Sequence, residues 1–172
     1  PMSYFPTEPD SWSESLTPVE GVWISDTGTG VISLDYVHKV VGQTSILDET
    51  PTPDYYGGAL FTLNTPFDCS HWEKLVFYHA LIKDQNHTGE CNLTLIDANG
   101  RSAYRRFGTQ PSGEWEKKEF PVGVGSTGWE IWDADFDWTA IKVILLRWNF
   151  RDVNPYTWYG NQESWIDTIY FY

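Results

Sequence analysis

The stretch CNLTLIDANGRSAYRRF, residues 91–107, decides the fold class of this 172-residue sequence. Leu93 and Leu95 alternate with polar residues, which is the period of a half-buried strand. Asp97-Ala98-Asn99-Gly100 comes next, and Asn-Gly readily takes the positive φ that a tight turn requires. A second alternating run completes the pattern, so the stretch predicts a β-hairpin.

Strand patterns of the same kind recur on both sides of this hairpin. Short β-branched and aromatic runs are bounded by Gly, Pro, Asn and Asp, and no window shows the apolar spacing of an amphipathic helix. The further runs are GVWIS from residue 21, GVISLD from 30, QTSILD from 43, GALFTL from 58, KLVFYHALI from 74, EWEKKEF from 114, AIKVILLRW from 140 and WIDTIYFY from 165. So many short strands need two packed sheets or a closed barrel to cover their apolar faces. Without a repeat of fixed period, the sequence predicts an all-β fold, a two-sheet antiparallel β-sandwich.

Length and composition bound the domain organisation. A chain of 172 residues fits one domain. Its first residues, PMSYFPTEPDSWSESLTP, are rich in Pro, Ser, Thr and Glu, as linkers are. We therefore predict a linker or N-terminal extension over residues 1–20 and a β-sandwich module over residues 21–172, within a larger multidomain protein.

The charge and hydropathy of the sequence exclude two classes of partner. Eleven basic residues against 24 acidic residues give a formal net charge of −13. Such a chain repels a phosphate backbone, so we expect no nucleic-acid partner. The longest apolar run, Val143 to Leu146, is far shorter than a membrane span, so we expect no membrane insertion.

Cysteines and possible glycosylation sites bear on the location of the chain. Cys69 and Cys91 are the only cysteines, and we favour two buried thiols over a disulfide. The triplets NHT at Asn86 and NLT at Asn92 fit the N-glycosylation pattern of secreted proteins. Together these observations favour an extracellular or cell-surface location.

No catalytic motif occurs in its required context, so we predict that the chain is not an enzyme. Alternation in KLVFYHALI puts His79 on the face of Leu75, Phe77 and Leu81, or on the opposite face if a bulge intervenes, which is typical of a core or edge histidine. The stretch WDADFDW, residues 132–138, places three aspartates as a calcium loop begins, but Trp138 stands where such a loop needs glycine. We interpret it as a solvated loop whose Trp132, Phe136 and Trp138 plug one end of the sandwich.

The aromatic content is the most informative feature for function. Ten Trp, ten Tyr and nine Phe exceed what a core of this size needs. Flat rings next to amides and charged groups suit sugars, because the ring covers the apolar face of the sugar while polar groups bind its hydroxyls. The loop NPYTWYGNQ, residues 154–162, holds both kinds of group, although core or interface roles for its rings stay open. The predicted ligand-binding residues are Trp148, Tyr156, Trp158, Tyr159, Asn161 and Gln162, with Tyr78, Tyr104, Arg106 and Arg147 on the same face.

Several blocks in order resemble the galactose-binding-like β-jelly-roll of many carbohydrate-binding modules. They are DCSHWEKLVFYHALI, LTLIDANGRSAY, SGEWEKKEFPV, DWTAIKVILLRW and SWIDTIYFY, and the resemblance covers about residues 66–172. It implies a jelly-roll sandwich that holds a glycan without catalysis. It also implies a structural calcium that joins the first and last strands.

Asp167 resembles the acid that often binds this calcium, because it stands in the closing motif of the family. The second ligand, an acid near the first strand, is expected at Glu20 or Asp26, with Glu14 also near the right place. A carboxylate in an apolar strand needs a partner, and a divalent cation is one such partner. The alternative is that Asp167 caps a bulge or accepts backbone N–H bonds.

Two functions from different classes follow from the sequence. The first is a non-catalytic carbohydrate-binding module that targets a polysaccharide or glycan. The alternative is a structural or adhesion β-sandwich domain of a cell surface, filament or virion, in which the aromatic residues pack against neighbouring subunits.

Overall fold

The computed structural model describes residues 12–26, 30–50, 57–83, 90–148 and 162–172. These residues form strands and turns, and none of them lies in a helix. The strands are β1 Gly21–Ser25, β2 Val31–Asp35, β3 Ser45–Thr50, β4 Gly57–Phe67, β5 Lys74–Lys83, β6 Glu90–Asp97, β7 Ser102–Gly108, β8 Glu116–Pro121, β9 Glu130–Ile131, β10 Ile141–Trp148 and β11 Gln162–Phe171. The all-β prediction is confirmed, and each predicted run contains a strand. The short β9 was not predicted.

The strands form two antiparallel sheets that pack as a sandwich, as predicted. The first sheet has six strands in the order β1-β4-β10-β6-β7-β9, and the second has five in the order β2-β3-β11-β5-β8. Every pairing is antiparallel. Within the described ranges, no helix has the length and apolar character that a membrane crossing needs.

The core lies between the sheets and follows the alternation along each strand. On β6, Leu93 and Leu95 point inward and are fully buried, and Phe77 and Leu81 do the same from β5. His79 lies on that inward face and is also buried, as predicted. The same alternation sends every second side chain of β6, β7 and β10 to the outer face of the six-stranded sheet.

The turn of the predicted hairpin joins β6 to β7. Oδ1 of Asp97 accepts the N–H groups of Asn99 and Arg101, each at 2.9 Å. Gly100 has a φ of 81°, which glycine adopts without steric cost. The hairpin is therefore confirmed, and it fixes the register that sets Tyr104 opposite Thr94.

The predicted boundary at residue 21 is wrong for the described part of the N-terminal segment. The Trp12 side chain is 1% exposed, and its ring centroid lies 4.9 Å from that of Phe61. Nε1 of Trp23 donates to the carbonyl of Trp12 at 2.7 Å. Residues 12–20 therefore belong to the sandwich, because the core needs this tryptophan; residues 1–11 lie outside the described residues.

Cys69 and Cys91 are two buried free thiols, as predicted. Burial raises the pKa of the Cys69 thiol to about 12. Its Sγ donates to the carbonyl of Trp138 at 3.2 Å. Cys69 is therefore an inert core residue rather than a reactive one.

Candidate functional site

A groove of about 840 Å³ crosses the outer face of the six-stranded sheet. The strands contribute Asn92, Thr94, Ser102, Tyr104, Arg106, Glu130 and Arg147. Two loops contribute Asn99, Gly100, Arg101, Trp132, Asp133 and Ala134. The floor is built by alternation, because Leu93 and Leu95 point inward and Asn92 and Thr94 therefore point outward.

Three groove residues form a row across neighbouring strands. Arg147 of β10 lies opposite Asn92 of β6, which in turn lies opposite Arg106 of β7. Adjacent strands are about 4.8 Å apart, so these side chains are neighbours on one face. We call Arg147, Asn92 and Arg106 the Arg–Asn–Arg row.

Tyr104 and Arg106 hold each other in place on β7. Nε of Arg106 donates to the Tyr104 hydroxyl at 2.8 Å, and the guanidinium lies 5.9 Å from the centre of the tyrosine ring. The hydrogen bond to Tyr104 is the largest cause that raises the pKa of Arg106 above its ordinary value. Both side chains are thus oriented before any ligand arrives.

Arg147 is oriented by an aspartate that lies outside its own strand. Nε of Arg147 donates to Oδ2 of Asp26 at 2.6 Å, and the second guanidinium contact is 3.5 Å long. Asp26 follows β1 directly, and its N–H donates to the carbonyl of Gly58. This ion pair is partly buried, so it sets the position of Arg147 more firmly than a fully exposed pair would.

Trp132 lines the groove and corrects one prediction. Phe136 and Trp138 are buried, and their ring centroids lie 5.0 Å apart, so these two residues pack into the core of the sandwich as predicted. Trp132 does not, because its side chain is 90% exposed. Asp97 anchors this loop by accepting the N–H of Asp137 at 3.0 Å, which leaves Trp132 in solvent beside the groove.

The structure brings together three of the predicted ligand-binding residues, namely Tyr104, Arg106 and Arg147. Trp148 does not join them, since it follows the outward Arg147 and therefore points into the core with no exposed surface. Tyr78 lies on β5 in the other sheet.

The remaining predicted residues belong to the loop before β11. Gln162 begins β11 in the five-stranded sheet and is only 1% exposed, so it offers no surface to a ligand. Tyr156, Trp158, Tyr159 and Asn161 lie outside the described residues.

Ten groove residues were missed from the sequence: Asn92, Thr94, Asn99, Gly100, Arg101, Ser102, Glu130, Trp132, Asp133 and Ala134. The alternation along β6 was enough to predict that Asn92 and Thr94 point outward, opposite to Leu93 and Leu95. Asn92 also begins the NLT triplet, yet it is 2% exposed in the middle of the sheet, where a glycan has no room. Asn86 lies outside the described residues.

His79 and Asp48 carry strongly shifted pKa values, and both lie inside the sandwich. The two ring nitrogens of His79 each lie 2.7 Å from a hydroxyl, that of Thr109 or that of Ser164. Burial lowers the pKa of His79 to about 3, so the ring is neutral. Burial raises the pKa of Asp48 to about 7.

Comparison with solved structures identifies the fold. A family 30 carbohydrate-binding module of a cellulosomal cellulase of Clostridium thermocellum is 12% identical, with a TM-score of 0.64 over 95% of both chains. The chain has the fold of a carbohydrate-binding module. A family 11 module of the same organism, in complex with a β-1,3-1,4-mixed-linked tetrasaccharide, is 18% identical, with a TM-score of 0.57 over 94% of this chain and 92% of that one.

Larger proteins also contain this module fold. An exo-β-agarase is 13% identical, with a TM-score of 0.65; the match covers 95% of this chain but only 24% of the agarase. This chain thus spans about a quarter of that protein. No protein-family model matches the sequence, and no curated protein matches it.

The module fold raised the expectation of calcium at Asp167, and the surroundings of this residue do not fit it. Oδ1 accepts the Ser13 hydroxyl at 2.6 Å and the N–H of Thr168 at 2.7 Å. Oδ2 accepts the N–H groups of Val40 and Val41 at 2.6 and 3.2 Å. Calcium needs six to eight oxygen ligands, whereas this carboxylate faces hydrogen-bond donors.

The other predicted ligands do not join Asp167. Asp26 pairs with Arg147, and Glu20 contributes its backbone carbonyl to the N–H of Asn64. Across the described residues, no group of three or more His, Cys, Asp or Glu side chains could hold a metal ion. The predicted ligand set is therefore not assembled, and structural calcium in this chain stays a prediction.

Proposed function

We propose that this chain is a non-catalytic carbohydrate-binding module that holds a polysaccharide in the groove of the six-stranded sheet. One observation carries the proposal: an exposed tryptophan, Trp132, stands beside a floor of hydrogen-bonding side chains that includes Asn92, Thr94 and Tyr104. The fold shared with carbohydrate-binding modules supports it.

The groove supplies both kinds of contact that a sugar needs. An exposed indole can cover the C–H face of a pyranose ring and exclude water from it. Amide, hydroxyl and charged groups around it can bind the hydroxyls of the same sugar. A largely pre-oriented floor reduces the entropy that binding would otherwise cost.

The proposal of a binding role without catalysis rests on where the perturbed groups lie. Active sites gather groups with strongly shifted pKa values. Here burial shifts the pKa values of Asp48, Cys69 and His79 most, and these residues lie inside the sandwich, away from the groove.

The proposal also covers the larger protein that contains this chain and the place where it works. A polysaccharide ligand and the match to one quarter of an agarase support a module that works beside other domains of a larger protein. Most polysaccharides are found outside cells, which favours an extracellular or cell-surface location. The match to modules over almost the whole chain disfavours the alternative of a structural or adhesion domain.

The proposal is tested by affinity electrophoresis on a panel of soluble polysaccharides. We expect the wild type to be retarded by at least one of them, and Trp132→Ala to weaken this binding about 5- to 150-fold, as the loss of 1–3 kcal/mol from a key ring implies. Tyr36→Ala is the matched control, because Tyr36 is 64% exposed and lies directly after β2 in the other sheet.

Equal melting temperatures of the three proteins would exclude unfolding as the cause. Retention of Trp132→Ala equal to that of the wild type would place the binding surface elsewhere. Self-association of the wild type without any response to the panel would favour the adhesion domain instead.

A further inference from the structure

We propose that the groove selects glycans that carry a negatively charged substituent, a carboxylate or a sulfate, which binds at the Arg–Asn–Arg row. This inference rests on the proposed function and adds the chemical class of the ligand. It starts from an imbalance of charge. The whole chain has a net charge of −13, yet three of its arginines line this one groove.

Arg106 is the strongest reason for the inference. Arg101 pairs with Asp133 and Arg147 pairs with Asp26, but none of the ion pairs among the described residues includes Arg106. Its Nε–H is used by the Tyr104 hydroxyl, which leaves the two terminal NH2 groups on an exposed side chain. A guanidinium of this kind matches the geometry of a carboxylate or sulfate.

Arg106 has a hydrogen-bonding neighbour in Tyr104, and the acids Glu130 and Glu90 also act on its charge and help to raise its pKa. Asn92 is only 2% exposed, and its Oδ1 accepts the Thr94 hydroxyl at 3.3 Å, so it supports the floor between the two arginines. The Tyr104 hydroxyl accepts from Arg106 and can donate its own hydrogen outward. A sugar hydroxyl both donates and accepts, whereas an ionised acid accepts only. The Arg106 guanidinium and the Tyr104 hydroxyl, as donors, suit the acid better.

Acidic residues of the groove limit how many charges the ligand carries. Glu130 lies opposite Tyr104 on β9, and Asp133 lies beside the exposed Trp132. These carboxylates would repel a second negative charge from the next sugar along the chain. The groove therefore fits a polysaccharide in which acidic and neutral sugars alternate, with the acid at the Arg–Asn–Arg row and a neutral sugar beside Trp132.

Matched pairs of polysaccharides test this inference at 0.15 M salt, where the Debye length of about 8 Å screens the repulsion by the whole protein. One pair is κ-carrageenan and its desulfated product, and the other is hyaluronan and its carboxyl-reduced product. We expect retention by the acidic member of at least one pair to exceed that by its neutral member about tenfold. The pair that responds distinguishes sulfate from carboxylate.

Substitutions connect the preference to Arg106. We expect Arg106→Gln to weaken binding of the acidic member about tenfold and to leave binding of the neutral member within twofold, because the variant removes the charge and keeps a polar side chain. Lys117→Gln is the control, since Lys117 is exposed on the other sheet and its loss changes the net charge equally. Lys117→Gln should leave binding of the acidic member and of the neutral member within twofold of the wild type.

The outcomes separate the two proposals. Equal or stronger retention by the neutral members would overturn the preference for acids and leave carbohydrate binding in place. An acidic preference that Arg106→Gln does not reduce would also overturn the assignment to this row. Loss of binding to every polysaccharide, in the wild type and in a wider panel, would overturn the proposed function together with this inference.

Discussion

Asp48 shows how a single buried carboxylate ties stability to pH. The side chain is fully buried, and it accepts the hydroxyls of Ser25 and Thr50 at 3.1 and 2.8 Å. Burial is the largest cause that raises its pKa from 3.8 to about 7, with the hydrogen bonds opposing it. The folded chain therefore keeps this carboxyl protonated in a pH range where the unfolded chain loses the proton.

The stability that Asp48 contributes is present below pH 3.8 and is lost as pH rises through about 7. We expect the free energy of unfolding of the wild type, minus that of Asp48→Asn, to fall by a few kcal/mol between about pH 4 and pH 8, because each tenfold difference in proton affinity between the folded and unfolded chains is worth about 1.4 kcal/mol. Urea unfolding of both proteins at several pH values measures this difference.

The free energy of unfolding of the variant is subtracted because His79 also makes stability depend on pH, in the opposite direction. Its lowered pKa contributes stability above pH 6.5 that is lost as pH falls towards 3. A flat difference for Asp48→Asn would mean that Asp48 is ionised in the folded chain at neutral pH.

At the scale of elements, β11 depends on an irregularity in its middle. The register with β5 shifts between Asp167 and Tyr170, and Thr168 has a φ of 55°, which is uncommon for a residue other than glycine. Asp167 compensates for this by binding the segment around Val40 and the N-terminal Ser13. The acid that interrupts the last strand thus joins three segments that are far apart in the sequence.

Asp167→Ala should lower the free energy of unfolding by about 3–5 kcal/mol, because three N–H groups and one hydroxyl lose their acceptor in a buried place. Ser13→Ala removes one of these donors and should cost about 1 kcal/mol. Thermal melting in the presence and absence of a chelator distinguishes this network from a metal site.

If hydrogen bonds alone hold Asp167, the chelator leaves the melting temperature of the wild type unchanged. A fall in the melting temperature, reversed by added calcium, would contradict the hydrogen-bonded assignment of Asp167. It would support the calcium that the family resemblance implies.

The strands were predictable from the sequence, and the site was predictable in part. Alternation fixes which residues of a strand share a face, and it therefore indicated that Tyr104 and Arg106 lie together. It could not fix which of Arg147 and Trp148 points outward, because AIKVILLRW is apolar at nearly every position and the strand is central. Trp132 lies in a loop, where no period exists to separate an exposed ring from a buried one.

At the scale of the whole molecule, the N-terminal segment completes the core. Trp12 lies against Phe61 of the six-stranded sheet and within 6.4 Å of Phe171 of the other sheet, measured between ring centroids. It therefore bridges the two layers at one end of the sandwich. This role of Trp12 could not be predicted from the sequence, because the residues around it have the composition of a linker.

Trp12→Ala should lower the free energy of unfolding by about 3–5 kcal/mol, since it removes a fully buried ring and leaves a cavity between the sheets. Removal of residues 1–20 should lower the free energy of unfolding by at least as much. Urea unfolding followed by tryptophan fluorescence measures both changes. The control is Trp132→Ala, which removes an exposed ring and should change stability by less than about 0.5 kcal/mol.

An N-terminally shortened chain as stable as the whole one would show that residues 12–20 act as a linker after all. It would also show that the core closes without Trp12.

The contact between Trp12 and Phe171 has a consequence for how this sandwich can be built into other architectures. Residues 12 and 171 belong to segments that meet at one place in the fold, because the ring centroids of Trp12 and Phe171 lie 6.4 Å apart. Two segments that meet in this way can be joined covalently by a short connection, and the chain can then be reopened in a surface loop elsewhere. The geometry suits circular permutation of residues 12–171.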